Sequence, residues 1–157
     1  MKKFKLNPDF ARRYFFVALL FAGMGGWFGY DGLVTYPKTP AAALFESIEK
    51  SAPPPEMSEA QLEAFKRQKI EAQYGFAILC LLAAGLIGAH LWSVARFDLE
   101  FDETGFVYRG RRCEFKDVKT VDRSNWEKKD ILVVDGIRLD AWHHTGVKEL
   151  AEKLGHA

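Results

Sequence analysis

The sequence predicts a membrane protein of mixed α and β class, in which a hairpin of two transmembrane helices precedes a small C-terminal β-rich domain. The chain has 157 residues, of which 48% are hydrophobic and 27% charged, and these two kinds of residue are separated into blocks. Two of the blocks are long apolar runs without a formal charge. After the second run, apolar and polar residues alternate, which is typical of half-buried strands.

The two apolar runs predict the transmembrane helices. Residues 14–30 carry no formal charge, with apolar character continuing through residue 34, and residues 72–95 also carry none. A bilayer core of about 30 Å requires about 20 helical residues, and a soluble protein of this length has no core large enough to bury either run. We therefore predict spans at 14–34 and 72–95. A cleaved signal peptide is the alternative for the first run, but no small-residue cleavage site follows it closely.

The distribution of lysine and arginine predicts the orientation of the spans. The basic tail of residues 1–13 has five such residues against one acid, and four arginines follow the second run by residue 112. The intervening segment 35–71 has five basic residues against six acids. We expect both termini in the cytoplasm and residues 35–71 outside. Lys66, Arg67 and Lys69 weaken this bias without reversing it.

Small residues spaced four apart predict close packing of the two spans, because they let helix backbones approach each other in lipid. The residues in this pattern are Ala18, Ala22, Gly25, Gly26 and Gly29 in the first span and Ala84, Gly85, Gly88 and Ala89 in the second. A face for another membrane protein is the alternative interpretation.

Asp31 and His90 are ionisable residues that lie at or within the spans. Such residues are functional candidates by default. Because each lies near a predicted end of its helix, solvation at the membrane interface is the simpler interpretation. A proton relay or a cofactor ligand at His90 remains an alternative.

The segment 35–71 is predicted to be a helical hairpin. Thr39, which precedes a proline, is typical of a helix start. Ser58 and Gln61 form a capping box, and no helix breaker follows, which predicts one helix from Glu59 to about Ala95. The apolar face of the first short helix is expected to comprise Leu44, Phe45 and Ile48.

Residues 96–157 have the pattern of six short strands followed by one helix. The strands are predicted at residues 97–101, 106–109, 112–115, 118–122, 131–135 and 137–140. Asp135 followed by Gly136 predicts a tight hairpin turn. Thr145 is the expected N-cap of the helix, whose apolar face comprises Val147, Leu150, Ala151 and Leu154. These elements predict a small β-barrel or curled sheet that the C-terminal helix closes.

Two motifs in this domain resemble a known family. The run FKDVKTVD at residues 115–122, the run WEKKDI at 126–131 and the closing helix resemble bacterial PH-like domains on membrane-anchored proteins. The resemblance covers residues 97–154. Asp130 stands where the family often has glycine, and the six strands are one fewer than in a full PH fold. The resemblance implies a binding or scaffolding module at the bacterial inner membrane, without catalytic residues.

Two groups of residues in this domain are candidates for contact with a protein partner or lipid. They are Arg109, Arg111 and Arg112 around one turn, and Trp126, Lys128 and Lys129 in another. Near an anionic lipid surface each basic residue contributes about 1 kcal/mol. The domain has 12 basic and 13 acidic residues, so any anion site must be local. Solvated strand ends, and for Trp126 a place in the core, are the alternatives.

Nothing in the sequence predicts a catalytic or metal site. His143 and His144 are adjacent and would point to opposite faces of a strand, with no further ligand at a suitable spacing. Cys80 and Cys113 are too few for a disulfide framework, and Cys113 is expected to be a packed residue. The chain has 22 basic and 21 acidic residues, which excludes the broad basic surface that nucleic acids require.

Three functional hypotheses follow. The first is a non-enzymatic inner-membrane scaffold that presents its C-terminal domain to a protein or lipid at the cytoplasmic surface, without a cofactor. The second is an accessory structural subunit of a larger membrane complex. The third is an enzyme or transporter that uses Asp31, His90 or the histidine pair. The expected partners are membrane lipid and either another protein or a second copy of the chain.

Overall fold

The fold consists of two units, and the computed structural model describes residues 1–155. The helical unit comprises Phe16–Ile87, and the sheet unit comprises Met1–Phe15 together with Gly88–Ala157. The two long helices each begin in one unit and end in the other. Each unit has its own internal packing.

The first long helix, α1, covers Pro8–Tyr30 and continues through a π-helical turn at Asp31–Thr35 into a last turn at Tyr36–Lys38. A short helix α2 follows at Ala41–Glu49, and α3 covers Glu59–Ala95. The prediction of one continuous helix over Glu59–Ala95 is confirmed.

The π-helical turn lies directly before Pro37. The Tyr36 amide donates to the Asp31 carbonyl, one residue beyond the α-helical spacing. Pro37 has no N–H group to donate, and its ring would clash with a carbonyl in regular α geometry, so the wider turn accommodates it. The prediction that Thr39 caps α2 is wrong, because no side chain among the described residues caps this helix. The Thr39 hydroxyl donates instead to the Thr35 carbonyl at 2.8 Å, which satisfies a carbonyl at the end of the preceding helix.

The predicted capping box at the start of α3 is confirmed. The Ser58 amide donates to Gln61 Oε1 at 2.8 Å, and the Gln61 amide donates to Ser58 Oγ at 3.3 Å. The helical hairpin is also confirmed, since the ring of Phe45 in α2 lies 4.9 Å from that of Phe65 in α3. Lys66 Nζ donates to the Pro37 carbonyl at 3.0 Å and adds a polar contact.

Within residues 1–155, two helices are long and apolar enough to span a membrane, namely Pro8–Lys38 and Glu59–Ala95. Their most apolar windows are only 11% and 17% buried. A core helix of a soluble protein would bury such side chains, since apolar surface is removed from water on folding. The large exposed residues include Leu20, Trp27, Leu86 and Trp92.

Gly25 sets the close approach of the two helices inside the helical unit. A Cβ at Gly25 would lie 2.9 Å from Leu81 Cγ and 3.3 Å from the Ala77 carbonyl oxygen. A Cβ at Gly29 would lie 4.0 Å from that of Ala77. Gly25 is therefore at the helix contact, while a Cβ at Gly26 would meet nothing within 4 Å outside its own helix.

The sheet unit holds seven strands among the described residues, in two antiparallel sheets. The first sheet has the order β1-β2-β3-β4, with β1 at Lys2–Phe4, β2 at Leu99–Phe101, β3 at Gly105–Tyr108 and β4 at Arg111–Glu114. The second has the order β5-β6-β7, at Val121–Asp122, Ile131–Val134 and Ile137–Asp140. Two short helices, α4 at Trp126–Lys129 and α5 at Val147–Gly155, complete the unit.

The predicted barrel is wrong, because the strands do not form one closed sheet. After β4 the chain forms a 3-10 turn at Phe115–Asp117, which leaves only two residues of the predicted strand 118–122 in β5. The seventh strand is supplied by the N-terminal tail, whose β1 pairs with β2 in antiparallel register, with Phe4 opposite Leu99. The prediction of short strands followed by one C-terminal helix is the part that agrees with the structure.

One hydrophobic core joins both sheets to α5. Its buried residues are Leu99, Phe101, Phe106, Tyr108, Leu132, Val134, Leu139, Ala141, Val147, Leu150 and Ala151. Phe4 stacks on Phe101 with ring centroids 4.6 Å apart. Gly146 is required beside it, because a Cβ there would overlap the Phe4 ring. The tail is thus part of the core packing.

Both hairpin turns of two residues use left-handed backbone. Asp135 and Gly136 have φ of 45° and 78°, and Arg109 and Gly110 have φ of 51° and 74°. Two consecutive positive φ values match the right-handed twist of the flanking strands. The turn predicted at Asp135-Gly136 is confirmed.

We predict that Gly25→Val destabilises the helical unit by about 1–3 kcal/mol, because the added side chain must displace Leu81 or the Ala77 carbonyl. Gly26→Val is the matched control, since it adds the same side chain on the open side of the same helix. Thermal unfolding of the full chain in mild detergent measures the difference. Equal effects of the two substitutions would contradict the helix contact.

Candidate partner- and lipid-binding surface

The ends of both long helices pack inside the sheet unit. Phe10 of α1 is 0% exposed and Val94 of α3 is 1% exposed. The Phe10 ring lies 4.7 Å from the ring of His143 and 4.4 Å from that of Tyr14. His90 of α3 joins the same group, 5.8 Å from His143. We call Phe10, Tyr14, His90, Trp142 and His143 the helix-end cluster.

Sequence reasoning missed Phe10, which it placed in the basic tail. The available signal was its spacing, because Phe10 and Tyr14 lie four residues apart on one face of a helix. The backbone adds to this contact, since the Asn7 amide donates to the His143 carbonyl at 2.7 Å. The loop after β7 is therefore fixed to the start of α1.

Lysines of the N-terminal tail form ion pairs inside the sheet unit. Lys3 Nζ lies 2.7 Å from Asp98 and 3.5 Å from Glu100, and Lys2 Nζ lies 2.8 Å from Glu149. The hydrogen bond to Asp98 is the main cause of a raised pKa at Lys3. These pairs are exposed and stabilise little individually. The pairs connect the tail, whose basic residues were used above only to predict orientation, to acidic residues of the sheet unit.

The arginines around the β3–β4 turn are exposed. The guanidinium of Arg109 lies 5.5 Å from the ring centroids of both Phe97 and Tyr108, a distance at which cations and aromatic faces attract. Arg112 Nη2 lies 3.5 Å from Thr104 Oγ1. The structure adds Arg138 of β7 to the side chains that line a cleft with Arg109 and Arg111. Sequence spacing could not have shown this neighbour, because it comes from the other sheet.

The second predicted group lies elsewhere on the sheet unit. Trp126 is half buried and packs against the core, which supports the alternative that it is structural. Lys128 and Lys129 are exposed in the same helix, α4. Trp126 lines a separate cleft of about 310 Å³ that holds residues of both charges. No residue lines both this cleft and the one beside Arg109.

The small residues of the spans divide into two sets. Gly25 is buried and Gly29 half buried at the helix contact described above, while Ala18 and Ala84 are half buried. A Cβ at Gly26, Gly85 or Gly88 would have no neighbour within 4 Å outside its own helix. Ala22 and Ala89 are exposed. Packing of this second set against another chain stays a prediction.

The remaining candidate residues are the two cysteines and Asp31. Within residues 1–155 there is no cluster of three or more histidine, cysteine, aspartate or glutamate side chains that could hold a metal ion. Cys80 is buried and Cys113 half buried, both as free thiols. Burial is the main cause of a raised pKa at Cys113, which disfavours its thiolate. Asp31 lies half exposed at the start of the π-helical turn.

His144 is the one buried polar side chain in the core of the described chain, with 1% exposure. Neither ring nitrogen makes a hydrogen bond of good geometry within residues 1–155, and the Tyr108 ring lies edge-on at 5.5 Å. Burial lowers the pKa of His144, only partly offset by the nearby Lys5 backbone. Burial likewise lowers the pKa of His143, against the opposite effect of Asp140.

Comparison with known proteins gives no relative for this chain, since no family model, no curated protein and no solved structure matches it.

We predict that acid destabilises the sheet unit through His144. Its folded-state pKa lies below the unfolded value of about 6.5, so the unfolded chain binds the extra proton first and stability falls as pH drops through about 6.5 and below. Unfolding of the full chain in mild detergent across this pH range measures the slope.

His144→Phe is expected to reduce this acid dependence, because the phenyl ring has a similar size but cannot bind a proton in either the folded or the unfolded chain. His144→Gln serves as a second variant if the first perturbs folding. An acid slope that both variants leave unchanged would show that another group is responsible.

Proposed function

We propose that this chain is a non-catalytic membrane-anchored scaffold, whose two long helices span the bilayer and whose sheet unit is presented at the cytoplasmic surface to a protein or lipid partner. The observation that carries the proposal is the burial of helix-end residues Phe10 and Val94 inside the sheet unit. Because these residues are buried, the sheet unit packs directly on the ends of its proposed anchor helices and is not joined to them by a flexible linker. Its partner must then be reachable at the membrane surface.

Membrane insertion is supported by the exposure of the helices. Side chains such as Leu20 and Leu86, which are 61% and 73% exposed, would meet water in a soluble protein. A large contiguous apolar surface is costly in water and is matched by lipid. The basic residues at 1–13 and after residue 95 favour a cytoplasmic sheet unit, and the PH-like resemblance favours a bacterial inner membrane.

A binding role is supported by the side chains that the sheet unit leaves exposed. Arg109, Arg111 and Arg112 surround one turn, and Trp142 is 39% exposed within the helix-end cluster. Arginine and tryptophan are the residue types that most often carry binding energy at interfaces.

The alternative function, an accessory subunit of a larger membrane complex, is favoured by a different observation. Gly26, Gly85 and Gly88 leave open positions on the helices, while Trp27 and Trp92 are each 71% exposed. Small residues beside large ones are suited to packing against the helix of another subunit.

The topology gives one test. In a Cys80→Ala/Cys113→Ala background, Ser51→Cys in the loop before α3 and Ser124→Cys in the sheet unit form a matched pair, since both serines are exposed. We expect a membrane-impermeant thiol reagent to label Ser51→Cys in intact cells and Ser124→Cys only after permeabilisation. Labelling of Ser124→Cys from outside would refute the orientation, and recovery of the chain in the soluble fraction would refute insertion.

Photo-crosslinking in native membranes distinguishes the two functions. A photoreactive amino acid placed at Arg112 or Lys128 samples the sheet unit, and one placed at Gly85 samples the open face of α3. The scaffold proposal expects protein or lipid adducts from the sheet unit. Adducts confined to Gly85, with a partner that co-purifies at fixed stoichiometry, would support the accessory subunit instead. Absence of adducts at all three positions would contradict both.

A further inference from the structure

The cleft beside Arg109 is bounded by two hairpin turns from different sheets. It has a volume of about 430 Å³ and is lined by Tyr108, Arg109, Arg111, Gly136, Ile137 and Arg138. Arg109 and Gly136 belong to the two turns with left-handed backbone. Each turn holds only two residues, whose positive φ values match the twist of the flanking strands.

The three arginines in this cleft have no ion-pair partner in the described part of the chain. Within residues 1–155, no carboxylate lies within 4.0 Å of the guanidinium of Arg109, Arg111 or Arg138, whereas several lysines are paired. Like charges in one cleft repel each other, which is costly unless an anion is bound between them.

The carboxylates nearest in sequence are already engaged. Asp135 accepts from the Thr120 amide at 2.8 Å and the Lys119 amide at 3.2 Å, bonds that lower its pKa. Asp140 accepts from the Trp142 amide at 2.9 Å. Glu114 is paired with Lys116 at 2.9 Å. These acids hold turns of the fold, and among residues 1–155 none of them forms an ion pair with the three arginines.

The electrostatic effect of the cleft reaches the helix-end cluster. Arg109 and Arg138 each contribute to lowering the pKa of His143, behind the larger effect of burial. Two arginines from different sheets thus act on the same neighbouring group. Asp140 raises the same pKa by a larger effect than either arginine, so His143 shows that the two arginines lie near one group and not that the local potential is positive.

We infer that the cleft between the β3–β4 and β6–β7 turns is an anion site for a phosphate group, held by Arg109, Arg111 and Arg138. Guanidinium groups bind phosphate through paired hydrogen bonds in a planar geometry. The guanidinium of Arg109 lies 5.5 Å from the ring centroids of Phe97 and Tyr108, and attraction between the cation and these rings favours its position at the cleft.

The phosphate can belong to a lipid headgroup or be free in solution. Arg96, at the end of α3, and Arg109 lie over the same Phe97 ring, at 4.6 Å and 5.5 Å. This contact places Arg109 beside the end of α3, where lipid headgroups lie if α3 spans the membrane. The headgroup source therefore rests on the proposed function, whereas binding of a phosphate as such does not.

The test uses the full chain reconstituted in nanodiscs of phosphatidylcholine. In one arm inorganic phosphate is titrated at constant ionic strength, with acetate as the comparison anion, and thermal stability is measured. In the other arm phosphatidylglycerol is added to the nanodisc, and its enrichment on the protein is measured by native mass spectrometry.

The variants are Arg109→Gln/Arg138→Gln, Arg138→Lys and, as a matched control, Arg67→Gln, which removes an exposed arginine from the helical unit. We expect the double variant to weaken binding about tenfold or more, because two charge-assisted contacts are lost. Arg138→Lys should weaken it less, since the charge remains without the paired geometry. Arg67→Gln should bind as the unaltered chain does.

Each outcome has a defined meaning. Stabilisation by phosphate but not acetate supports a site for free phosphate, and enrichment of phosphatidylglycerol alone supports a headgroup site. Equal effects of phosphate and acetate without enrichment of phosphatidylglycerol, or equal binding by the double variant and Arg67→Gln, would overturn the inference. Topology labelling and crosslinking do not depend on Arg138, so they separate failure of this site from failure of the scaffold function.

Discussion

Burial of Phe10 at the helix-end cluster is the contact on which the organisation of the sheet unit depends. Full burial of an aromatic side chain stabilises a fold by about 1.5–3 kcal/mol, which exceeds the contribution of the exposed ion pairs of the tail. The contact also orders the chain before it. With Phe10 fixed against His143, residues 2–4 are positioned to pair with β2, and Phe4 reaches Phe101 in the core. Packing, assisted by charge, therefore incorporates the N-terminal tail into the sheet.

The same contact connects the proposed anchor with the proposed binding surface. Phe10 at the start of α1 packs against His143 in the loop after β7. Arg138 lies in β7 itself and lines the same cleft as Arg109. A membrane anchor that joined the sheet unit through a flexible linker would leave its arginines free to face any direction. Here the arginine cleft and the helix ends belong to one packed unit, which suits recognition of a ligand held at the membrane surface.

Local patterns predicted the elements of this fold well, and contacts between distant segments were not predictable from them. The capping box at Ser58 and the turn at Asp135 each depend on a few consecutive residues, so their chemistry is visible in the sequence. The strand β1 has only three residues, of which one is apolar, and gives no periodic signal. Arg138 was missed as a site residue for a related reason, because its approach to Arg109 depends on how two sheets pack. The barrel expectation failed at residues 115–120, where a 3-10 turn interrupts the pairing that alternation suggested.

The pairing of β1 with β2 has a consequence for biogenesis. Lys2 and Glu149, which form an ion pair, are separated by 147 residues, nearly the whole chain. Strand β1 leaves the ribosome long before its partner strands have been synthesised, because both long apolar helices lie between them in the chain. Such a high contact order makes assembly of the sheet late and slow. Residues 2–4 are thus translated well before the strand residues 99–101 with which they pair.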